Sequence, residues 1–108
     1  MTSVAELSGL GRFADPAVLI LTSLAEGPKH GYALIQDVAE FAGITLGPGT
    51  LYGALSRLEQ RDLIQALPAE DRRRPYRITA DGAAALKAYL EHAQSVARRG
   101  LRRLEAYA

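Results

Sequence analysis

Five arginines fall into two clusters: Arg57 and Arg61, four residues apart, and the consecutive run Arg72, Arg73 and Arg74. A guanidinium presents parallel N–H donors that fit a phosphate or the O6/N7 edge of guanine, so these clusters suit a polyanion that carries both groups. Small and polar residues accompany the first cluster. Gly49 and Thr50 open a run whose first amides, at the positive end of a helix, are free to meet a phosphate. Gly53 lets a backbone approach closely, Ser56 adds a hydroxyl, and Tyr52 adds a hydroxyl or a stacking ring. For each residue taken alone a plainer role competes: the arginines solvate a surface helix, and Tyr52 packs against a neighbouring hairpin.

Other chemistries lack their residues. His30 and His92 are the only histidines and there is no cysteine, so neither a familiar zinc site nor a disulfide is expected. His30, ahead of Gly31 and Tyr32, reads as a cap or packing residue at a helix start. Ser56 and Ser95 have no neighbouring base, and nucleophilic catalysis has no support. Gly9, Gly11 and Ala14 mimic a dinucleotide fingerprint, but no strand precedes them. With 108 residues the chain suits one ordinary domain, far below the roughly 250 of a (β/α)₈ barrel. We expect no enzyme, no cofactor and no metal. No apolar run approaches the roughly 20 residues of a membrane span, and the first residues lack a signal-peptide pattern, so a cytoplasmic location without a membrane partner is expected.

The elements that must position the arginines are legible from spacing. Asp15-Pro16 starts a first helix, to about Glu26, with Val18, Leu21 and Leu24 on one face before Gly27-Pro28. A second runs from Gly31 to Phe41, burying Leu34, Ile35, Val38 and Phe41, with Gln36, Asp37 and Glu40 outward and Gly43 as a left-handed cap. Pro48-Gly49-Thr50 opens a third, with Leu51, Leu55 and Leu58 inward and Thr50, Gly53, Ser56, Arg57, Gln60 and Arg61 outward. Residues 63–67 and 76–79 then read as two strands joined by a charged turn over 68–74. Asp81-Gly82 leads into a last helix to about Ala106. Residues 1–14 show only weak periodicity.

The net charge of +1 hides an asymmetry. Residues 1–56 carry two basic side chains, Arg12 and Lys29, against five acidic ones, a balance of −3, and the remainder stands at +4. Eleven of the thirteen basic residues are arginine, nineteen residues are alanine and none is asparagine, a bias that codon usage alone can produce. The arginines nonetheless sit on chosen elements.

Three short helices followed by a hairpin is the order of a winged helix-turn-helix, whose third helix enters the major groove while the hairpin lies along the backbone. The expected fold is therefore mainly α with a small β-hairpin: a winged helix-turn-helix over 15–80 and a C-terminal helix over 81–108, forming one unit over 1–108. Double-stranded DNA is the expected partner. The last helix, about 25 residues and ~37 Å long, outruns the body before it. Leu86, Leu90, Ala93, Ala97, Leu101 and Leu104 make an apolar seam for a second copy, and a homodimer supplies two recognition helices about one DNA turn apart. Arg98, Arg99, Arg102 and Arg103 flank that seam, as solvated surface or as a second DNA patch.

These residues also resemble a family. Gly27-Pro28-Lys29-His30-Gly31-Tyr32, then Gly49-Thr50-Leu51-Tyr52 with Leu55, Arg57, Leu58 and Glu59, then Leu63-Ile64, then Arg74-Pro75-Tyr76-Arg77-Ile78-Thr79 with Gly82, are similar to PadR transcriptional regulators over about residues 17–90. The single helix at the end resembles the small subfamily that includes multidrug-responsive repressors. The resemblance implies a dimeric repressor on a palindromic operator, with Gly49 to Tyr52 opening the recognition helix and the arginines before Pro75 forming the wing. The multidrug sensors of that subfamily admit a small hydrophobic or aromatic effector between subunits, often against a tryptophan that this chain lacks; Phe13, Tyr89 and Val96 either line such a pore or serve as interface packing. Two positions depart from the pattern. Asp62 stands where glycine is usual, which predicts a left-handed aspartate, and the wing lacks its frequent glycine while Glu70-Asp71 set negative charge beside the arginines. The competing function is a winged-helix module that binds protein through the same face.

Overall fold

The structure is a computed structural model that describes residues 15–107. Its elements run α1 (Pro16–Leu24), β1 (Lys29–His30), α2 (Gly31–Ala42), α3 (Pro48–Gln60), β2 (Ile64–Ala66), β3 (Pro75–Ile78) and α4 (Ala80–Tyr107). The helices start and stop where local chemistry directs. Asp15 caps α1 by accepting from the Ala17 amide at 2.8 Å, with Pro16 beside it. Gly43 closes α2 in the left-handed conformation, φ 68°.

α1 packs against α2, α3 and α4 and forms the centre of the body. Ile20 and Leu24 meet Leu34 and Val38 of α2 and Leu51 and Leu55 of α3, all of them sealed from solvent. Leu46 anchors the short connection between α2 and α3. Two positions of α2 differ from expectation. Phe41, placed on the core stripe, is 46% exposed: the inward line runs Leu34, Val38, Ala42 at intervals of four, and Phe41 falls beside it. Asp37, placed outward, turns in: its carboxylate accepts from the buried Ser23 hydroxyl at 2.6 Å and lies 3.7 Å from the Lys29 ammonium. Lys29 also donates to the Ser23 carbonyl at 2.5 Å, so this cation is engaged at the junction of α1 and α2 and adds little to the surface charge.

The sheet has three strands where two were expected, in the order β1-β3-β2, all antiparallel. Lys29 pairs with Tyr76 and His30 with Pro75, so the segment before α2 is fastened to the hairpin. Two residues are too short for alternation to show. Beyond Leu67, whose amide bonds the Pro75 carbonyl, the hairpin narrows to a reciprocal pair between Glu70 and Arg73 at 2.7 and 2.8 Å. Asp71 and Arg72 occupy the tip with φ of 48° and 67°, the signature of a type I′ turn made without glycine.

Asp62 has φ 58°, as its position demanded. The Leu63 amide reaches the Leu58 carbonyl and the Asp62 amide the Glu59 carbonyl, a Schellman closure of α3. α4 begins slightly earlier than expected, capped by Thr79, whose hydroxyl accepts from the Gly82 amide at 3.0 Å and donates to the Asp62 carbonyl at 2.7 Å. Gly82 lies directly on the hairpin base: a Cβ there would overlap the Leu63 carbonyl oxygen. Leu86 is corrected by its burial. At 6% exposure it belongs to the core of its own chain and is withdrawn from the seam, because the first two turns of α4 lie against α1. From Lys87 to Tyr107 every residue of α4 is exposed.

Candidate nucleic-acid interface

α3 presents the face read from the sequence. Leu51, Ala54, Leu55 and Leu58 point inward, while Thr50, Tyr52, Ser56, Arg57 and Arg61 are exposed and Gly53 is partly so. Its N-terminus has Gly47 at the cap position with no side-chain cap bond and Pro48 next, which leaves the Gly49 and Thr50 amides open at the positive end of the helix. Arg57 folds back one turn along α3: its Nη1 would sit 3.5 Å from a Cβ at Gly53. Gly53 thus clears the helix surface for its neighbour's guanidinium as well as for a ligand.

Arg57 and Arg61 line one cleft with Leu58 and with Asp15 and Ala17 at the start of α1. Arg72, Arg73 and Arg74 line another, of about 280 Å³, with His30, Gly31 and Tyr32 of the α2 start, Tyr52 of α3 and Tyr76 of β3. The structure therefore brings the wing arginines together with Tyr52, and Arg57 together with Arg61, but the two groups do not share a cleft. All five guanidiniums are exposed, and among the described residues none forms an ion pair with a carboxylate.

Tyr52 takes a definite place. Its hydroxyl lies over Gly31, where a Cβ would come within 2.6 Å of it, so Gly31 is the gap that lets α3 lay this ring across the start of α2. The residue stays 55% exposed and keeps the hydroxyl at the cleft. Beside it, burial pushes the Tyr76 phenol above its usual range; the negative Glu59 and the neighbouring Tyr52 add to the rise and Arg74 opposes it. Tyr76 therefore remains a protonated hydrogen-bond donor at neutral pH.

Of the two roles that its position allows His30, cap or packing residue, the structure shows the cap: its Nδ1 accepts from the Ala33 amide at 3.4 Å. Sequence reasoning missed its second neighbour. Nε2 stands 3.4 Å from Nη1 of Arg73, forty-three residues away, across the β1–β3 pairing. The only available signal was the His-Gly-Tyr run after Gly27-Pro28, and nothing in that run points to the wing.

Of the residues offered for an effector pore, Tyr89 flanks a cavity of about 430 Å³ with Val18, Leu63, Ala85 and Arg61. Val96 lies two turns further along α4 and is 57% exposed, and Phe13 is outside the described residues. Among the described residues no helix is long and apolar enough to cross a membrane, and no group of three His, Asp or Glu side chains gathers to hold a metal.

The same arrangement recurs in known proteins. A transcriptional regulator of Clostridium thermocellum shares 27% identity with a TM-score of 0.70, covering 91% of this chain and 93% of its own. A PadR family regulator from Eggerthella lenta shares 30% identity with a TM-score of 0.72, covering 94% and 90%. Among curated proteins, an uncharacterized 37.1 kDa protein in transposon Tn4556 of Streptomyces fradiae is 45% identical over 71 residues, 66% of this chain; the chain spans about a fifth (21%) of that protein's length. The profile of the transcriptional regulator PadR-like family matches residues 20–88, from the middle of α1 through the wing into α4. With a winged helix, two exposed arginine clusters and a profile match over most of its length, the chain belongs to the PadR-like family of transcriptional regulators.

Proposed function

We propose that this protein is a homodimeric repressor that reads a palindromic operator. One observation carries the DNA-binding half of this reading: among the described residues the exposed basic groups of the body cluster on α3 and the wing, while Lys29 of β1, between the first two helices, is engaged by Asp37. α3 enters the major groove with Arg57 and Ser56 at base edges, the open amides of Gly49 and Thr50 meet a phosphate, and Arg72 to Arg74 follow the adjoining backbone. Arg61, beside Asp15 at the far end of α3, holds the flank of the groove.

The dimer half is supported by α4. Leu90, Ala93, Ala97, Leu101 and Leu104 lie exposed on a rod of 28 residues, about 42 Å long, and a second copy covers them most simply. The repressor role and release by a small hydrophobic or aromatic effector between the protomers come from the family resemblance; the cavity beside Tyr89 supports the second.

The test is a duplex-DNA titration at two salt concentrations, with operators first selected from fragments of the host genome. Arg57→Ala is expected to weaken operator binding by about 1–3 kcal/mol per half-site and to relax sequence preference. Arg73→Ala is expected to weaken binding to all sequences and to lower the salt slope by about one unit per protomer. Parent-like binding by both variants would overturn the assignment.

A further inference from the structure

His30 stands between two groups that both need to donate. The Ala33 amide points at Nδ1 and the Arg73 guanidinium at Nε2, each at 3.4 Å. A neutral imidazole has one acceptor nitrogen and one N–H, so it can serve only one of the two, and an imidazolium can serve neither. The cap contact at α2 makes Nδ1 the acceptor. Nε2 then carries the hydrogen and faces a guanidinium across the mouth of a cleft, donor against donor.

An anionic oxygen between them resolves the conflict, because it accepts from both. The cleft on one side of the pair is lined by Arg72, Arg74, Tyr52 and Tyr76 and suits an anion. The cleft on the other side is lined by Glu70, Asp71 and Pro75 and repels one. The opening toward Tyr52 is therefore the side from which an anion enters. It lies where the wing, α2 and α3 converge.

We propose that His30, Tyr52 and Arg73 form a phosphate site in which a backbone phosphate of DNA accepts from His30 Nε2–H, the Tyr52 hydroxyl and the Arg73 guanidinium. This rests on the DNA-binding reading above and adds to it an N–H donor from β1 that fixes the wing against α2 when the duplex is bound. Free phosphate offers the same chemistry, and the experiment separates the two sources.

His30→Asn is the variant of choice. Asparagine is among the best N-cap residues, so the Ala33 amide keeps its acceptor, while nothing replaces the donor at Nε2. At pH 8 the variant is expected to match the parent in thermal midpoint and to bind duplex DNA roughly tenfold more weakly per half-site. Its salt slope is expected to stay unchanged, because a neutral group has been removed and no counterion release is lost. In the parent, ¹⁵N–¹H spectra of the imidazole are expected to show the Nε2–H tautomer and a shift of Nε2 that saturates with stoichiometric duplex. Parent-like DNA affinity of His30→Asn, or an Nδ1–H tautomer in the complex, would overturn the site while leaving the salt-dependent DNA binding of the parent standing. A Nε2 shift with millimolar inorganic phosphate but none with duplex overturns the backbone assignment in favour of free phosphate. Absence of any salt-dependent affinity of the parent for duplex overturns the function on which the site rests. The spectra use the parent chain, so the outcome stands even if the variant does not fold.

Discussion

The body and the far end of α4 handle apolar surface in opposite ways. Among the described residues the first buried position is Leu19 and the last is Leu86; between them the chain encloses most of its own leucines, with Ile20, Ile64 and Val38. Beyond Leu86 it buries nothing, although Leu90, Leu101 and Leu104 recur there on one face at helical spacing and are between 43% and 65% exposed. Burying a leucine contributes about 1.5–3 kcal/mol, so the several left in water on this helix are the surface on which the proposed dimer rests. The difference teaches that one continuous α4 is divided: its first two turns complete a fold, and its remaining turns carry the apolar face that the proposed second copy would cover.

The strongest way to break that comparison is to charge the far end. In the proposed twofold dimer Leu101→Asp places a carboxylate on the seam of both protomers, at roughly 3 kcal/mol for each, which weakens association by about four orders of magnitude. A monomer is expected in light scattering at micromolar concentration, with the aromatic circular dichroism of the body retained. A doubled mass would remove this part of α4 from the interface.

Next in size is a change at the junction of the two regions. Gly82→Ala puts a methyl group onto the Leu63 carbonyl oxygen and against Ile78, at 2.9 Å from its Cγ1, and that oxygen already accepts from the Thr79 amide. Backbone cannot step aside as a side-chain tip can. A loss of about 3 kcal/mol or more is expected, read as a fall in the denaturation midpoint. If the variant unfolds at the parent's midpoint, α4 is not seated on the hairpin as described.

These two regions were unequally legible in the sequence. Helix periods, the Asp15-Pro16 start, the Gly43 stop and the basic face of α3 follow from local rules, because each depends on residues three or four apart. What escaped is non-local. β1 is two residues long, and its strand character exists only through pairing with Tyr76 and Pro75. Asp37 turns inward because Ser23 and Lys29 meet it from α1 and β1. Leu86 fits the seam spacing as well as Leu90 does, and only the position of α1 decides that it is core. In the site, Arg57 and the wing arginines were legible from type and spacing, whereas the contact of His30 with Arg73 spans forty-three residues and leaves no local trace.

The smallest expected effect sharpens the account of the body. Asp62 adopts φ 58° to close α3, a conformation that costs an L-residue about 1 kcal/mol more than glycine. Its backbone does the structural work: the amide bonds the Glu59 carbonyl and the carbonyl accepts from Thr79, and both contacts survive loss of the side chain. Against the relief of strain stands the greater freedom that glycine gives the unfolded chain, worth about 0.4–1 kcal/mol in the opposite direction. Relief exceeds it narrowly, so Asp62→Gly is expected to stabilise the body by about 0.5 kcal/mol, raising the thermal midpoint by roughly 2–4 °C. The position lies in the body, so the mass in solution should not change. A lower midpoint would mean that the Asp62 carboxylate makes a contribution of its own, one that compensates for the left-handed backbone at the end of α3.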